Sequence, residues 1–321
     1  MTPIERIELA EIEAARARIA GSALRTPLIP LNVHDAPAPI WLKLENLQPI
    51  GSFKLRGAGN AMKLASRDTL ARGVWTASAG NMAQGVAWMA REMGIRCRVV
   101  VPDHAPKTKL EAIERLGGEW VAVPFAEWWR VIETGAFADY DGLFVHPVHD
   151  RHVIAGNATI GLEIAEDLPD VACVLVPYGG GGLSAGIASA LRAVRPAAKV
   201  YGCEVETAAP LTESLRAGRP MQVDYRASFV DGIGSKGLLT AMWPLVSSVL
   251  AGAQVVSLRE IADAIRLLAV RNRVIAEGAG AASVAAALSG RAGPGPIVCV
   301  VSGGNIDAEK LSLILQGGVP A

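Results

Sequence analysis

The sequence lacks the features that direct a protein to a membrane or to nucleic acid. No apolar run approaches the ~20 residues needed to cross a bilayer, and the N-terminus lacks the apolar centre of a signal peptide. Basic and acidic side chains balance at 31 each, aromatic residues make up only 5%, and no basic stripe occurs. The sequence therefore predicts a cytoplasmic protein whose partner is a small molecule rather than a membrane or a nucleic acid.

Cysteine is scarce, and the spacing of the cysteines argues against disulfide bonds and zinc sites. The four cysteines are Cys97, Cys173, Cys203 and Cys299, and no two form a C-x-x-C pair. Each lies in or beside an apolar run, where a cysteine packs like a small hydrophobic residue. We therefore expect neither disulfides nor a zinc site.

The most informative stretch is an apolar run followed by consecutive glycines and a small-residue helix pattern. The glycines are Gly179, Gly180, Gly181 and Gly182, and the helix pattern begins at Leu183. A strand, a glycine turn and a helix aim backbone N–H groups and a positive helix end at an anion. Glycine also lets the backbone approach a ligand closely. The pattern predicts a phosphate cradle.

The loop alone does not identify the phosphate. No Lys-Ser or Lys-Thr pair follows it, so it is not a P-loop. Gly180-x-Gly182-x-x-Ala185 formally fits a dinucleotide fingerprint, with Glu204 about 20 residues further on. A nicotinamide-dependent oxidoreductase therefore remains open at this point.

A lysine at the start of a predicted helix is the strongest candidate for covalent chemistry. Gly51 and Ser52 predict a turn, and Phe53 and Lys54 begin the helix. A lysine in the first turn opposes the helix dipole, and apolar neighbours disfavour its ammonium form. Both effects lower the amine pKa and suit a nucleophile that forms a Schiff base. An ordinary surface lysine is the alternative.

Strand and helix patterns alternate along most of the chain, which predicts an α/β fold with parallel sheets. Residues 70–148 read as a compact β-α run, whereas residues 205–239 read as a long irregular stretch. Loops 77–81, 179–183 and 302–305 each follow a predicted strand. We expect these loops to meet at one edge, where open α/β sheets bind ligands.

Other polar clusters support weaker interpretations. His146, His149 and His152 have the spacing H-x-x-H-x-x-H, but Pro147 argues against the helix that would gather them around a metal. Glu277 is expected to cap a helix N-terminus. Glu204 is either a cation ligand or a solvated strand end.

Taken together, these segments resemble one family. The motifs, in chain order, are LKLENLQPIGSFKLRGA, TASAGNMAQGVA, VPDHAPKTKLEAI, VIAGNATIGLEI, VPYGGGGLSAGIA and VVSGGN. They resemble the fold-type II pyridoxal-phosphate enzymes, in the threonine/serine dehydratase and serine racemase branch. The resemblance implies a tryptophan synthase β-like α/β fold, with two open, mostly parallel-sheet domains and the cofactor between them. It also implies a large domain of residues 1–70 plus 149–321, a small domain of 71–148, and a homodimer.

The resemblance assigns roles to matching positions. Around pyridoxal 5'-phosphate, Lys54 would form the Schiff base and Phe53 would line the ring. Asn81 would bond the ring hydroxyl, and Ser302 would face the pyridine nitrogen. The phosphate would be held by Gly179, Gly180, Gly181, Gly182 and Leu183. For the substrate, Ser78, Ala79, Gly80 and Asn81 would bind the carboxylate, Met82 would lie beside them, and Gly234 would lie near the amine.

The implied reaction is dehydration of a β-hydroxy amino acid such as L-threonine or L-serine to a 2-oxo acid and ammonia. Ala79 stands where racemases of this branch have serine, which disfavours racemisation. Met82 stands where histidine is usual, which leaves a bulkier phenylserine-like substrate or a hydroxyectoine-pathway intermediate open. A non-catalytic binding protein of the same fold is a further alternative.

The same branch carries a divalent cation near the strand that follows the glycine loop. Glu204 and Ala208 match two of its ligand positions, but the position of the acidic ligand is Pro210. We therefore expect a weakened metal site or none.

Overall fold

The computed structural model describes residues 1–138 and 140–321. Its strands are β1 (Leu28–Pro30), β2 (Ile40–Lys43), β3 (Val74–Ala77), β4 (Cys97–Pro102), β5 (Gly118–Val123), β6 (Leu143–Phe144), β7 (Cys173–Pro177), β8 (Lys199–Val205), β9 (Gly252–Val256) and β10 (Ile297–Val300). Its helices are α1 (Leu9–Ile19), α2 (Lys54–Leu64), α3 (Arg67–Ala71), α4 (Asn81–Met93), α5 (Lys107–Arg115), α6 (Phe125–Thr134), α7 (Arg151–Asp167), α8 (Gly182–Val194), α9 (Pro210–Ala217), α10 (Trp243–Val249), α11 (Leu258–Leu267), α12 (Gly278–Leu288) and α13 (Ala308–Leu315).

The larger sheet has six strands in the order β1-β2-β10-β7-β8-β9. All its neighbouring pairs are parallel except β1 with β2. One face packs against α1, α7, α8 and α10, and the other packs against α11 and α12. Because both faces are covered, every residue of β7 is buried, which explains its unbroken apolar sequence.

The smaller sheet has four parallel strands in the order β5-β4-β3-β6. Helix α2 lies against it, since Leu55 and Met62 share a core cluster with Val74 of β3. The same helix also packs on α7 of the larger unit. The parallel strands agree with the predicted fold class, while the predicted domain boundaries remain a proposal.

A buried ionic network anchors the start of α2. Arg56, two residues after Lys54, donates to Glu45 at 2.8 Å and to Glu163 at 2.6 Å. Lys43 also donates to Glu163, at 2.6 Å. Each charge in this network has a partner, as burial requires. The arginine of the S-F-K-x-R-G-A motif therefore fixes the helix that carries Lys54.

One stretch differs from the sequence prediction. Helix α7 begins at Arg151, where the Asp150 carboxylate accepts hydrogen bonds from the backbone of His152 and Val153. The prediction of an irregular stretch over 205–239 is wrong for α9, an eight-residue helix. All four cysteines are buried, which confirms the expected packing in apolar surroundings. Among the described residues, no helix is long and apolar enough to span a membrane.

Candidate active site

The predicted loops meet around one cavity of about 510 Å³ at the carboxyl ends of both sheets. The predicted residues that line it are Phe53, Lys54, Ser78, Ala79, Gly80, Asn81, Met82, Gly179, Gly180, Gly181, Gly182, Leu183 and Ser302. Gly234 lies outside this wall, near Val205 and Ala208, whereas its neighbours Gly232 and Ile233 line the cavity.

Lys54 presents its amine to the cavity from the first turn of α2. Its Nζ donates to the Pro147 carbonyl at 2.7 Å and lies 5.2 Å from the centroid of the Phe53 ring. Burial lowers the pKa of Lys54 to about 8, although the negative charge of Glu277 partly opposes the shift. More of the amine is therefore neutral, and nucleophilic, near neutral pH than in an ordinary lysine.

This lowered pKa predicts how the apoenzyme captures an aldehyde. Because only the neutral amine attacks, the rate of pyridoxal-phosphate capture should rise about tenfold per pH unit below the Lys54 pKa. The rate should level off above the value of about 8. Stopped-flow absorbance on the apoenzyme measures it. A rate that keeps rising towards pH ~10 would indicate an unperturbed lysine instead.

The glycine loop faces Lys54 across the cavity. It joins β7 to α8, and Gly181 has φ +92°, a conformation that glycine adopts without strain. A Cβ on Gly180 would lie 2.4 Å from Val148 Cγ1. A side chain is thus excluded at Gly180, and the backbone amides at the start of α8 are left to an anion.

Asn81, the first residue of α4, belongs to a polar network. Its Nδ2 donates to Glu277 Oε1 at 2.8 Å, and its Oδ1 accepts from Asn305 Nδ2 at 2.7 Å. An amide nitrogen carries two donors, so the second remains for a ligand. The Asn81 side chain is therefore held in one orientation at the cavity wall.

Glu277 has a different role from the expected helix cap. It occupies the N-cap position of α12, but within the described residues its carboxylate makes no capping bond and instead accepts from Asn81. Burial, reinforced by the charge of Asp231, raises the pKa of Glu277 to about 7. Sequence reasoning missed this contact because residues 81 and 277 are distant in the chain.

Two further segments complete the wall. Ser302 is buried two residues after β10. Its carbonyl accepts from the Phe53 N–H at 3.0 Å, which fixes the residue before Lys54 to the larger sheet. Ser78 Oγ accepts from the Gly80 N–H at 3.2 Å. Met82 lines the cavity but also packs among core residues, with only 1% of its surface exposed.

The candidate metal ligand Glu204 is engaged elsewhere. Its two oxygens accept from the backbone N–H groups of Leu211 at 2.7 Å and Thr212 at 2.8 Å. These are the first-turn amides of α9, whose first residue is Pro210. A carboxylate at a helix N-terminus is stabilising, so capping accounts for Glu204 without a cation.

This geometry predicts insensitivity to chelation. Treatment with EDTA should leave the melting temperature and turnover unchanged, because Glu204 already has hydrogen-bond partners on both oxygens. Glu204→Ala should instead lower the free energy of unfolding by about 1 kcal/mol through loss of the cap. A chelator effect on wild type that disappears in Glu204→Ala would contradict this account.

The cavity fits pyridoxal phosphate. The cradle has no room for a Cβ at Gly180, an amine of lowered pKa lines the same cavity, and the Asn157 Oδ1 atom on the cavity wall is buried without a hydrogen-bond partner among the described residues. An unpaired buried amide is costly unless a ligand satisfies it. Sequence reasoning missed Asn157, although it lies in the VIAGNATIGLEI motif.

Comparison with known proteins agrees with this geometry. Residues 19–303 match the family described as pyridoxal-phosphate dependent enzyme. The chain is 40% identical to an L-threonine ammonia-lyase of Thermotoga maritima over 98% of this chain and 79% of that protein. It is 42% identical to an L-threonine ammonia-lyase of Geobacter sulfurreducens over 88% and 71%, respectively. The fold superposes on maize serine racemase with a TM-score of 0.88, at 30% identity over 98% of both chains.

Proposed function

Because the chain belongs to the pyridoxal-phosphate dependent enzymes, we propose that it is a dehydratase that converts a β-hydroxy amino acid into a 2-oxo acid and ammonia. L-Threonine is the first candidate substrate, since the curated relatives are L-threonine ammonia-lyases. The observation that carries the proposal is the Lys54 amine, with its pKa lowered to about 8, facing a glycine cradle across one cavity. The nicotinamide alternative is set aside, because the family match covers the same glycine loop.

Each residue has a definite task in this reaction. The cofactor, when bound, supplies the electron sink that makes the substrate α-proton acidic. Lys54 would take that proton, and the β-hydroxyl would leave with a proton as water, so that the α-proton and the hydroxyl together account for the water lost. The enamine that remains tautomerises to an imine, and its hydrolysis releases the 2-oxo acid and ammonia. Ser302, on the cavity wall, would offer a neutral hydroxyl rather than a carboxylate to the pyridine nitrogen. A neutral partner favours prompt loss of the β-substituent over a long-lived carbanion.

The amides of the 78–81 loop are the proposed site for the substrate carboxylate. They stand at the N-terminus of α4, where backbone N–H groups and the helix dipole favour an anion. Ala79 provides no second proton donor, so the proposal includes dehydration without efficient racemisation. The test is a 2-oxo acid and ammonia assay over serine, threonine and bulkier β-hydroxy amino acids, with chiral analysis of recovered substrate. Failure of every substrate would overturn the proposal.

A second candidate is a substrate with a bulky aromatic side chain. The outer wall of the cavity includes His104, Phe125 and Trp128. The Phe125 ring centroid lies 5.8 Å from that of His104 and 5.6 Å from that of Trp128. Two charges on this wall are paired, since Lys109 contacts Asp231 at 2.6 Å, and the Lys236 amine lies 6.0 Å from the centroid of the Phe125 ring. This wall suits phenylserine better than a charged side chain.

Removing one ring tests this candidate. Phe125→Ala should lower kcat/KM for phenylserine by about tenfold, which corresponds to ~1.4 kcal/mol for a lost aromatic contact, and should leave threonine nearly unaffected. Trp120→Ala is the matched control, because Trp120 is exposed and bonds Glu114 rather than lining the cavity. Equal losses for threonine and phenylserine would count against selection by this wall.

We also propose a homodimer that acts in the cytoplasm. The family resemblance supports the dimer, and sedimentation at twice the chain mass of 33.5 kDa would establish it.

A further inference from the structure

One short loop contacts both ends of the candidate site. It comprises residues 146–149 between β6 and α7, and we call it the 146–149 loop. The Pro147 carbonyl accepts from Lys54 Nζ at 2.7 Å. Val148 lies so close to the cradle that a Cβ on Gly180 would be 2.4 Å from its Cγ1, and one on Gly182 would be 3.0 Å from its carbonyl oxygen.

A single buried side chain holds this loop. His146 Nδ1 accepts from the N–H of Val148 at 3.0 Å and from the N–H of His149 at 2.8 Å. Its Nε2 lies 3.1 Å from the Ile132 carbonyl oxygen. A carbonyl only accepts, so the ring carries its proton on Nε2 and keeps the Nδ1 lone pair for the loop.

The neutral state of this histidine is part of the arrangement. Protonation of Nδ1 would break both loop bonds at once. Burial, together with the charge of His149, lowers the pKa of His146 to about 4. The ring therefore remains a neutral acceptor at working pH. This use explains the first member of the H-x-x-H-x-x-H pattern without a metal.

We propose that His146 is a positioning residue that fixes the 146–149 loop, and with it the placement of the Lys54 amine relative to the glycine cradle. The loop makes a second contact on its solvent-exposed side, where His149 Nε2 lies 2.8 Å from the Thr2 carbonyl oxygen. That contact is exposed, whereas the His146 side chain is buried and its two bonds to the loop are partly buried. Hydrogen bonds shielded from water are the stronger ones, so the inner bonds are assigned the control of the placement. The inference rests on the proposed function only in taking Lys54 as the reacting amine.

Three variants test the proposal by cofactor binding rather than by turnover. His146→Leu removes the acceptor. His146→Asn keeps one, because an asparagine oxygen readily accepts from backbone N–H groups two or three residues further on. His149→Leu is the matched control from the outer side of the loop. The dissociation constant of pyridoxal phosphate and the pH midpoint of its capture by Lys54 are measured by absorbance on each apoprotein.

We expect His146→Leu to raise the dissociation constant by about 10- to 100-fold, because two loop N–H groups lose their partner. The pH midpoint should also move upward from about 8, because a loosened loop hydrates the amine. His146→Asn should stay within about threefold of wild type, and His149→Leu should behave as wild type.

Two results would overturn the proposal. One is a His146→Leu protein that melts earlier but keeps the wild-type dissociation constant and pH midpoint, which indicates a purely structural role. The other result needs no variant and comes from ¹⁵N NMR of the His146 ring in the wild-type protein. We expect a neutral Nε2–H tautomer from pH 5 to 9, above the His146 pKa of about 4. A charged ring at pH 6 would exclude the acceptor role. Because none of these readouts uses turnover, they remain valid even if the dehydratase assay fails.

Discussion

Lys54→Ala should lower 2-oxo acid formation by about 10³-fold or more while leaving the fold intact. The amine is both the proposed attachment point of the cofactor and the base for the α-proton, and loss of one acid–base group alone costs about 10²- to 10⁴-fold. Folding should survive, because the buried ionic network at the start of α2 runs through Arg56 rather than Lys54. Turnover, circular dichroism and the cofactor absorbance band measure these effects.

The matched control is Lys63→Ala on the same helix. Lys63 donates to the Arg18 carbonyl at 3.0 Å near the end of α2, so its loss should leave turnover unchanged. Substantial 2-oxo acid formation by a folded Lys54→Ala protein would refute the assigned role of Lys54.

Gly181→Ala should weaken cofactor binding by about tenfold or more. Gly181 has φ +92°, and a Cβ there would lie 3.0 Å from Val246 Cγ2 and 3.2 Å from the Tyr178 ring. A left-handed conformation costs an L-residue roughly 1–2 kcal/mol, and relief of that strain would turn the cradle amides away from the phosphate. Titration of the apoprotein with pyridoxal phosphate measures the dissociation constant.

Gly21→Ala separates cradle geometry from general strain. Gly21 has φ +80°, and a Cβ at this position would have no neighbouring atom within 4 Å, so the substitution imposes similar backbone strain away from the cavity. It should lower stability without altering the dissociation constant. Equal weakening of cofactor binding by both substitutions would contradict a specific role for the glycine loop.

The sequence can predict those parts of the site that are formed by residues adjacent in the chain. A strand, four glycines and a helix determine the cradle locally, because each step follows from short-range periodicity and backbone freedom. The position of Lys54 in the first turn of a helix is likewise evident from its neighbours. The family resemblance then joins these distant segments around one cofactor, and the family match is consistent with that assembly.

The parts that sequence could not predict depend on contacts between distant residues. Glu277 reads as a helix cap until the fold brings Asn81 beside it. Helix α9 reads as irregular because its N-terminal cap is supplied by Glu204, which lies on the preceding strand. His146 reads as a candidate metal ligand until its Nδ1 is seen to accept from its own loop. In each case a polar side chain has a structural partner that periodicity does not reveal.

The most direct test of the central claim is the stoichiometry of products from the purified, pyridoxal-phosphate-loaded enzyme. Threonine, serine and phenylserine are each supplied, and 2-oxo acid, ammonia and remaining amino acid are quantified over time. A dehydratase that uses Lys54 should release 2-oxo acid and ammonia in equal amounts, matched by substrate loss, from at least one of the three. A protein that carries the cofactor but releases neither product from any of them would contradict the account.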